Sequence, residues 1–196
     1  MKNPEIIGKT VIGEGRFLRL CNNLFTDEEG RERSWESVER INSSGAVMIA
    51  AFLRTSRKVL FVRQFRPPAG KYTIELPAGL LDKAGESVED AALRELYEET
   101  GYAGKVLRVL PPAYSSPGMS RETITIVFVE IADEEYSEAP EAHNDEGECI
   151  ETFAVSIDAI GEFLREREAA GDAVEARTAL APWLMPAIFG GSVIVE

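Results

Sequence analysis

Two hydrophobic periods alternate along this chain of 196 residues, and each change of period marks an element. Period-two alternation predicts short strands around Thr10–Ile12 and Phe17–Cys21, a turn at Asp27-Glu28-Glu29-Gly30, and a strand at Arg33–Ile41. Gly45–Leu53 and Lys58–Gln64 are rich in β-branched and apolar residues and read as a hairpin, followed by a stiff loop through Pro67-Pro68 and a short strand at Lys71–Glu75. The period then lengthens. Val88, Ala92 and Leu96 form one stripe of a helix, Ser87 and Asp90 make a capping-box-like start, and Gly101 is a natural C-cap. Lys105–Pro111 and Thr123–Ile131 read as strands joined through Ser115–Ser120, and Asp133–Glu148 as an acidic stretch too polar to pack. Glu151–Val155 returns to strand. Ser156 then caps a helix from Ile157 to about Ala169, and Asp172 a second toward Ala181, with Pro182 and Pro186 near its end. Strands interleaved with one central and two terminal helices make an α/β fold. Residues 1–43 are expected as a small antiparallel β subdomain and residues 44–196 as the main domain.

The central helix breaks its own pattern. Glu95 and Glu99 project from nearly the same stripe as Leu96, one turn apart, with Glu98 beside them. Like charges at that spacing repel, and a carboxylate on an apolar face is costly unless something compensates it. A hard divalent cation with oxygen ligands, Mg²⁺ above all and Mn²⁺ as a substitute, would do so without any nearby His or Cys. The plain alternative is an acidic surface helix with a narrower apolar stripe.

Composition narrows the choice. A hydrophobic share of 44% is ordinary, no apolar run has the length of a membrane span, and the first residues lack a signal-peptide core. Cys21 and Cys149 follow no metal spacing, which suits reduced thiols in a cytoplasmic protein. His143 is the only histidine, so Ser-His-Asp chemistry and His-rich zinc sites are nearly excluded; in its acidic loop it is expected to face solvent. A net charge of −13 disfavours nucleic acid, while one small anionic ligand remains compatible through a cation and a few local arginines.

Residues 75–102 resemble the Nudix box. Its fixed positions are matched by Gly79, Glu86, Arg94, Glu95, Leu96, Glu98, Glu99, Gly101 and Tyr102. Six residues instead of five separate Gly79 from Glu86, an insertion in the loop that leaves the helical spacing intact but puts the placement of Glu86 in question. The resemblance implies a Nudix α/β/α sandwich with a mixed sheet. It also implies metal ligation by Glu95 and Glu99, with Glu98, Glu86 and the Ala78 carbonyl beside them, and Arg94 orienting a box glutamate.

Ser34–Arg40, Val62–Pro68, Glu75–Gly79 and Ser116–Ser120 are further similar to the ADP-ribose and ADP-sugar pyrophosphatases. That resemblance implies hydrolysis of ADP-ribose to AMP and ribose 5-phosphate; ADP-glucose, GDP-mannose or a non-catalytic ADP-ribose sensor are the alternatives. It implies a homodimer acting on a small nucleotide sugar, with the N-terminal subdomain serving dimerisation and the adenine side of the site. Trp35 and Phe17 would stack on adenine, Arg40 and Arg66 contact phosphates and terminal sugar, and Met119 line the substrate. Glu148 would be the general base, with Glu146 its neighbour in the same run. Each has a plain counterpart: Trp35 an interface anchor, Arg66 a structural ion pair, Phe17 a core residue, Glu148 a solvated acid.

Overall fold

The computed structural model describes residues 2–43, 45–136, 138–143 and 149–189. The chain divides into two compact units, one of Met1–Ala46, Leu80–Ala84 and Pro111–Thr125, the other of Val47–Gly79, Gly85–Leu110 and Ile126–Glu196.

The first unit opens with β1 (Glu5–Glu14), β2 (Leu18–Thr26) and β3 (Glu32–Arg40), an antiparallel sheet in that order. β1 and β2 are far longer than the apolar alternation suggested, because the ladder runs from Glu5↔Thr26 to Glu14↔Arg19 through polar pairs such as Lys9↔Asn23 and Thr10↔Asn22. Main-chain pairing does not depend on the side chain being apolar. Asp27 closes the β2–β3 turn: its carboxylate accepts the Glu29 and Arg31 N–H groups and the guanidiniums of Arg31 and Arg33.

The second unit is built on a mixed sheet. β4 (Ala46–Leu53) and β5 (Lys58–Arg66) form the expected hairpin, antiparallel through Phe52↔Val59, and β6 (Lys71–Glu75) pairs with the far end of β5. Residues 47–53 and 59–62 are buried without a break, as in a strand covered on both faces. β7 (Ala78–Leu80) leads through a loop to α1 (Val88–Thr100), and β8 (Lys105–Val109) follows. β9 (Ala113–Tyr114), unforeseen in the sequence, pairs within the first unit with the start of β10 (Thr123–Ile131). β11 (Ile150–Ser156) lies antiparallel along β5. The sheet order is β12-β6-β5-β4-β10-β8 with β11 also on β5, and only β12 (Ala173–Val174) is parallel to β6 among the pairs described. Together these elements make a mixed α/β fold with a small antiparallel N-terminal sheet.

Four expectations change here. α2 spans Ile160–Ala169, not from Ile157, because the Ile157 N–H is taken by the Arg57 carbonyl and the chain must first turn. Asp172 caps no helix. It is buried between Arg63 and Arg167, at 3.0 Å from the first, and the chain after it becomes β12. α3 (Ala181–Phe189) begins only later, with Pro182 in its first turn, where a missing N–H costs nothing, and Pro186 inside. The acidic stretch is also partly packed: Asp133 accepts the Thr55 and Ser56 N–H groups and so closes the β4–β5 turn.

Candidate active site

α1 starts and stops as its sequence requires. Ser87 Oγ accepts the Asp90 N–H at 3.0 Å and donates to its carboxylate at 2.7 Å. Gly101 closes the helix in the left-handed region, φ 73°, its N–H reaching the Tyr97 carbonyl. The buried face is Ala91, Ala92, Leu96, Glu99 and Thr100, so the stripe is real and Glu99 lies in it, 6% exposed. Val88 is only half-buried.

Glu95 and Glu98 of α1 and Glu86 just ahead of it gather around one guanidinium. Arg94 donates to Glu86 through Nε (2.8 Å) and Nη2 (3.0 Å), and through Nη1 to both Glu95 and Glu98, at 2.8 Å each. The Glu86 carboxylate, ahead of Glu95 and Glu98, pushes the Arg94 guanidinium well above its ordinary range and keeps it charged. Three carboxylates thus meet one guanidinium, and the buried Glu99 side chain accepts the Ala78 N–H at 3.1 Å. The inserted residue of the preceding loop is absorbed in exposed positions 82–85, where Gly85 takes φ 81°, and Glu86 still reaches Arg94.

β7 is brought against these groups by glycine. A Cβ at Gly79 would fall 1.9 Å from Glu95 Cδ, so only a residue without one lets the strand lie on that carboxylate. The donor set is all oxygen and acid-rich, which suits a hard divalent cation. Among the described residues no three acidic side chains converge on a common point; Glu86, Glu95 and Glu98 are turned onto Arg94.

The other residues singled out fall apart into separate places. In the first unit, Trp35 and Met119 line a cavity of about 740 Å³ together with Phe25 and Tyr114. Trp35 Nε1–H donates to the Gly118 carbonyl at 2.8 Å and the Val38 N–H to the Met119 carbonyl at 2.9 Å, so β3 holds the 116–120 loop at the cavity wall. Arg40 lines a smaller cavity of about 280 Å³ and pairs with Glu122 at 2.9 Å. Phe17 lines neither; it is 62% exposed with the Arg16 guanidinium 4.9 Å from its ring centre, so it is no core residue. In the second unit, Arg66 makes a two-pronged pair with Glu75, both contacts 2.7 Å. Burial raises the Glu75 carboxyl, yet the Arg66 fork and the Thr73 hydroxyl outweigh it and hold the group below its usual range. Glu148 and Glu146 lie outside the described residues.

Two features had no signal, or a weak one, in the sequence. Tyr114 and Phe25 join Trp35 only because β9 and β2 carry them there; Tyr114, next to Ser115–Pro117, could have been suspected from its exposed, loop-flanking position. His143 is exposed as expected, but its ring stacks on Tyr97 of α1, centres 4.6 Å apart, and its N–H reaches the Glu98 carbonyl.

A NUDIX domain match covers residues 43–177. The chain is 40% identical over 171 residues to an uncharacterized Nudix hydrolase of Schizosaccharomyces pombe, covering 84% of this chain and 83% of that one. It is 35% identical to an ADP-sugar pyrophosphatase of Mus musculus (76% and 72% covered) and 37% identical to an ADP-ribose pyrophosphatase of Bacillus subtilis (82% and 84%). A solved structure described as an ADP compounds hydrolase superposes with a TM-score of 0.73 over 98% of both chains at 23% identity, a likeness of fold.

Proposed function

The chain belongs to the NUDIX family of hydrolases, and on that premise we propose that it hydrolyses the pyrophosphate bond of ADP-ribose to give AMP and ribose 5-phosphate. The observation that carries this reading is the gathering of Glu86, Glu95 and Glu98 around Arg94, with buried Glu99 one turn after Glu95 and against the Ala78 N–H. Oxygen donors grouped in this way suit a hard divalent cation. The substrate class follows the names of the mouse and Bacillus subtilis relatives.

Mg²⁺, with Mn²⁺ able to replace it, would be held by Glu95, Glu98 and Glu99, with Ala78 beside them. Bound there, the cation supplies charge neutralisation for the two phosphates. Glu86 is engaged by Arg94 through two nitrogens, so its role is to hold that guanidinium while the Nη1 contacts to Glu95 and Glu98 yield. Arg94 keeps those glutamates oriented. Trp35 offers a flat face for adenine beside Tyr114 and Phe25, and Met119 an adaptable apolar wall. Arg40 and Arg66 are forks for phosphate or ribose, each preset by a carboxylate partner. Phe17 is assigned to the adenine side on resemblance alone. Glu148 is the general base that takes a proton from the attacking water as the phosphorus–oxygen bond to the leaving phosphate breaks.

Exposed Ile6, Ile7, Val11 and Ile12 on β1 support a homodimer formed through residues 1–43, with the catalytic machinery in residues 44–196. Among the described residues no helix is long and apolar enough to cross a membrane. Free Cys21 and Cys149 support a reducing, cytoplasmic setting. The second reading is another nucleoside diphosphate sugar, favoured by the name of the mouse relative.

Turnover of ADP-ribose, ADP-glucose, GDP-mannose and NADH with Mg²⁺, wild type beside Glu99→Gln, tests both. Preference for ADP-ribose, lost in the variant, is the expected result. Preference for a hexose or nicotinamide substrate would keep the carboxylate site and replace the sugar. Bound ADP-ribose without turnover would make the protein a sensor. Glu148→Gln should lower kcat by roughly 10³-fold while ADP-ribose still binds; near-normal turnover would remove Glu148 from the mechanism.

A further inference from the structure

The last turn of α1 exposes backbone carbonyls that a helix cannot satisfy by itself. Here each partner comes from a different place. The Tyr97 carbonyl takes the Gly101 N–H, the Glu98 carbonyl takes the His143 N–H at 2.7 Å, and the Glu99 carbonyl takes Thr152 Oγ1 at 3.1 Å from β11. Two of the three partners thus hold the carbonyls of the residues whose carboxylates form the candidate site.

The segment that supplies His143 is seated, not merely near. A Cβ at Gly101 would fall 2.2 Å from the Glu141 carbonyl oxygen and 3.0 Å from Pro140 Cβ, so the 140–141 backbone rests directly on the C-cap glycine. Two ring contacts fasten the chain on either side of that seat. Tyr136 meets Tyr102 edge-on at 4.9 Å and accepts the Ala103 N–H through its hydroxyl, while His143 stacks on Tyr97 at 4.6 Å with 21° between planes. Nothing in the acidic composition of residues 133–148 announces this packing.

We propose that residues 140–143 are a strap which fixes the C-terminal turn of α1, with His143 as a positioning residue that acts through its stack on Tyr97 to set the backbone of Glu98 and Glu99. The inference rests on the reading of those two as ligands of the catalytic cation. A carboxylate side chain on a turn free to fray sweeps through ångströms, and displacements of that size are costly to a preorganised site. The ring matters because the His143 N–H alone is one exchangeable bond on the exposed side of the turn, where Tyr97 and His143 meet solvent; the stack holds that N–H over the carbonyl.

The test uses full-length wild type, His143→Ala, His143→Phe and Tyr97→Ala. Amide hydrogen exchange of the last turn of α1 is read without any cation. Mn²⁺ binding is then titrated without nucleotide, and kcat and KM for ADP-ribose are measured with Mg²⁺. His143→Ala should speed exchange at Gly101, weaken Mn²⁺ by about tenfold, as loss of a supporting partner does, and lower kcat comparably with KM near wild type. His143→Phe should restore all three, since it keeps the ring; Tyr97→Ala should match His143→Ala, and the two losses should not add. Wild-type Mn²⁺ affinity and kcat in His143→Ala, whatever happens to Tm, would overturn the proposal, as would a loss that Phe does not rescue. If wild type itself neither binds Mn²⁺ nor turns over ADP-ribose, the functional reading fails. The exchange experiment then still decides whether the strap holds the helix end.

Discussion

Two ion-pair clusters of the second unit differ in the group at their centre. Around Arg94 one guanidinium faces Glu86, Glu95 and Glu98; around Asp172 one carboxylate faces Arg63 and Arg167. The second also takes in Glu151, which meets Arg63 Nη1 at 3.4 Å. Asp172 is 4% exposed, both oxygens reach the Arg63 Nε, and Arg63 in turn lies over the Tyr72 ring at 3.8 Å. Its task is to pin the corner where α2 turns into β12. The first gathers three carboxylates on one guanidinium, where Gly79 lets a strand lie against Glu95. What separates the two is the group at the centre: a carboxylate held by guanidiniums beside β12, a guanidinium held by carboxylates beside α1.

Substitutions can sharpen that contrast. The largest effect is expected from Glu99→Gln, which should cost roughly 10²-fold or more in kcat, the several kcal/mol that a bound cation contributes to charge stabilisation, while Tm holds or rises. A variant that keeps its turnover but unfolds early would put Glu99 in the structural class. Asp172→Asn should do the reverse. Leaving two guanidiniums without their shared partner costs about 3 kcal/mol of stability in urea titrations, with kcat per folded molecule unchanged. A fall in kcat with intact stability would break the comparison. Arg94→Lys keeps the charge and loses the fork on Glu86; turnover should drop by about tenfold through misplaced glutamates, rescued in part by higher Mg²⁺.

The smallest effect is the pH dependence of the structural cluster. Burial raises the Asp172 carboxyl, but the bonds from Arg63 and Arg167 outweigh it and hold the group below its ordinary 3.8. A lowered folded value means stability that is complete above 3.8 and is lost as pH falls through the folded value. The urea midpoint of the wild type should therefore fall on acidification below 3.8, and that of Asp172→Asn should fall less.

Much of this was legible before any coordinates. The helix was readable to the residue, because Ser87 and Gly101 act locally: one supplies an oxygen to a free N–H, the other tolerates positive φ. The burial of Glu99 was readable too, because helical geometry puts it on the stripe of Ala92 and Leu96. Where backbone ladders or distant partners decide the outcome, the sequence misled. The length of β1 and β2 comes from pairing between polar residues, and Asp172 resembled a cap until Arg63, remote in sequence, was folded against it. The packing of residues 140–143 on Gly101 had no apolar pattern to announce it, since the contact is made by backbone and two aromatic rings.

Local chemistry, then, was written in the chain: the capped helix, the spacing of its carboxylates and the family that such a spacing marks. Folding decided which charged groups meet. It gave Arg94 three carboxylates and Asp172 two guanidiniums, seated a strap on Gly101, and put Tyr114 and Phe25 beside Trp35. The difference is one of range: capping and periodicity act within a few residues, whereas the partners of a charged group are ones that only the closed chain brings within a few ångströms.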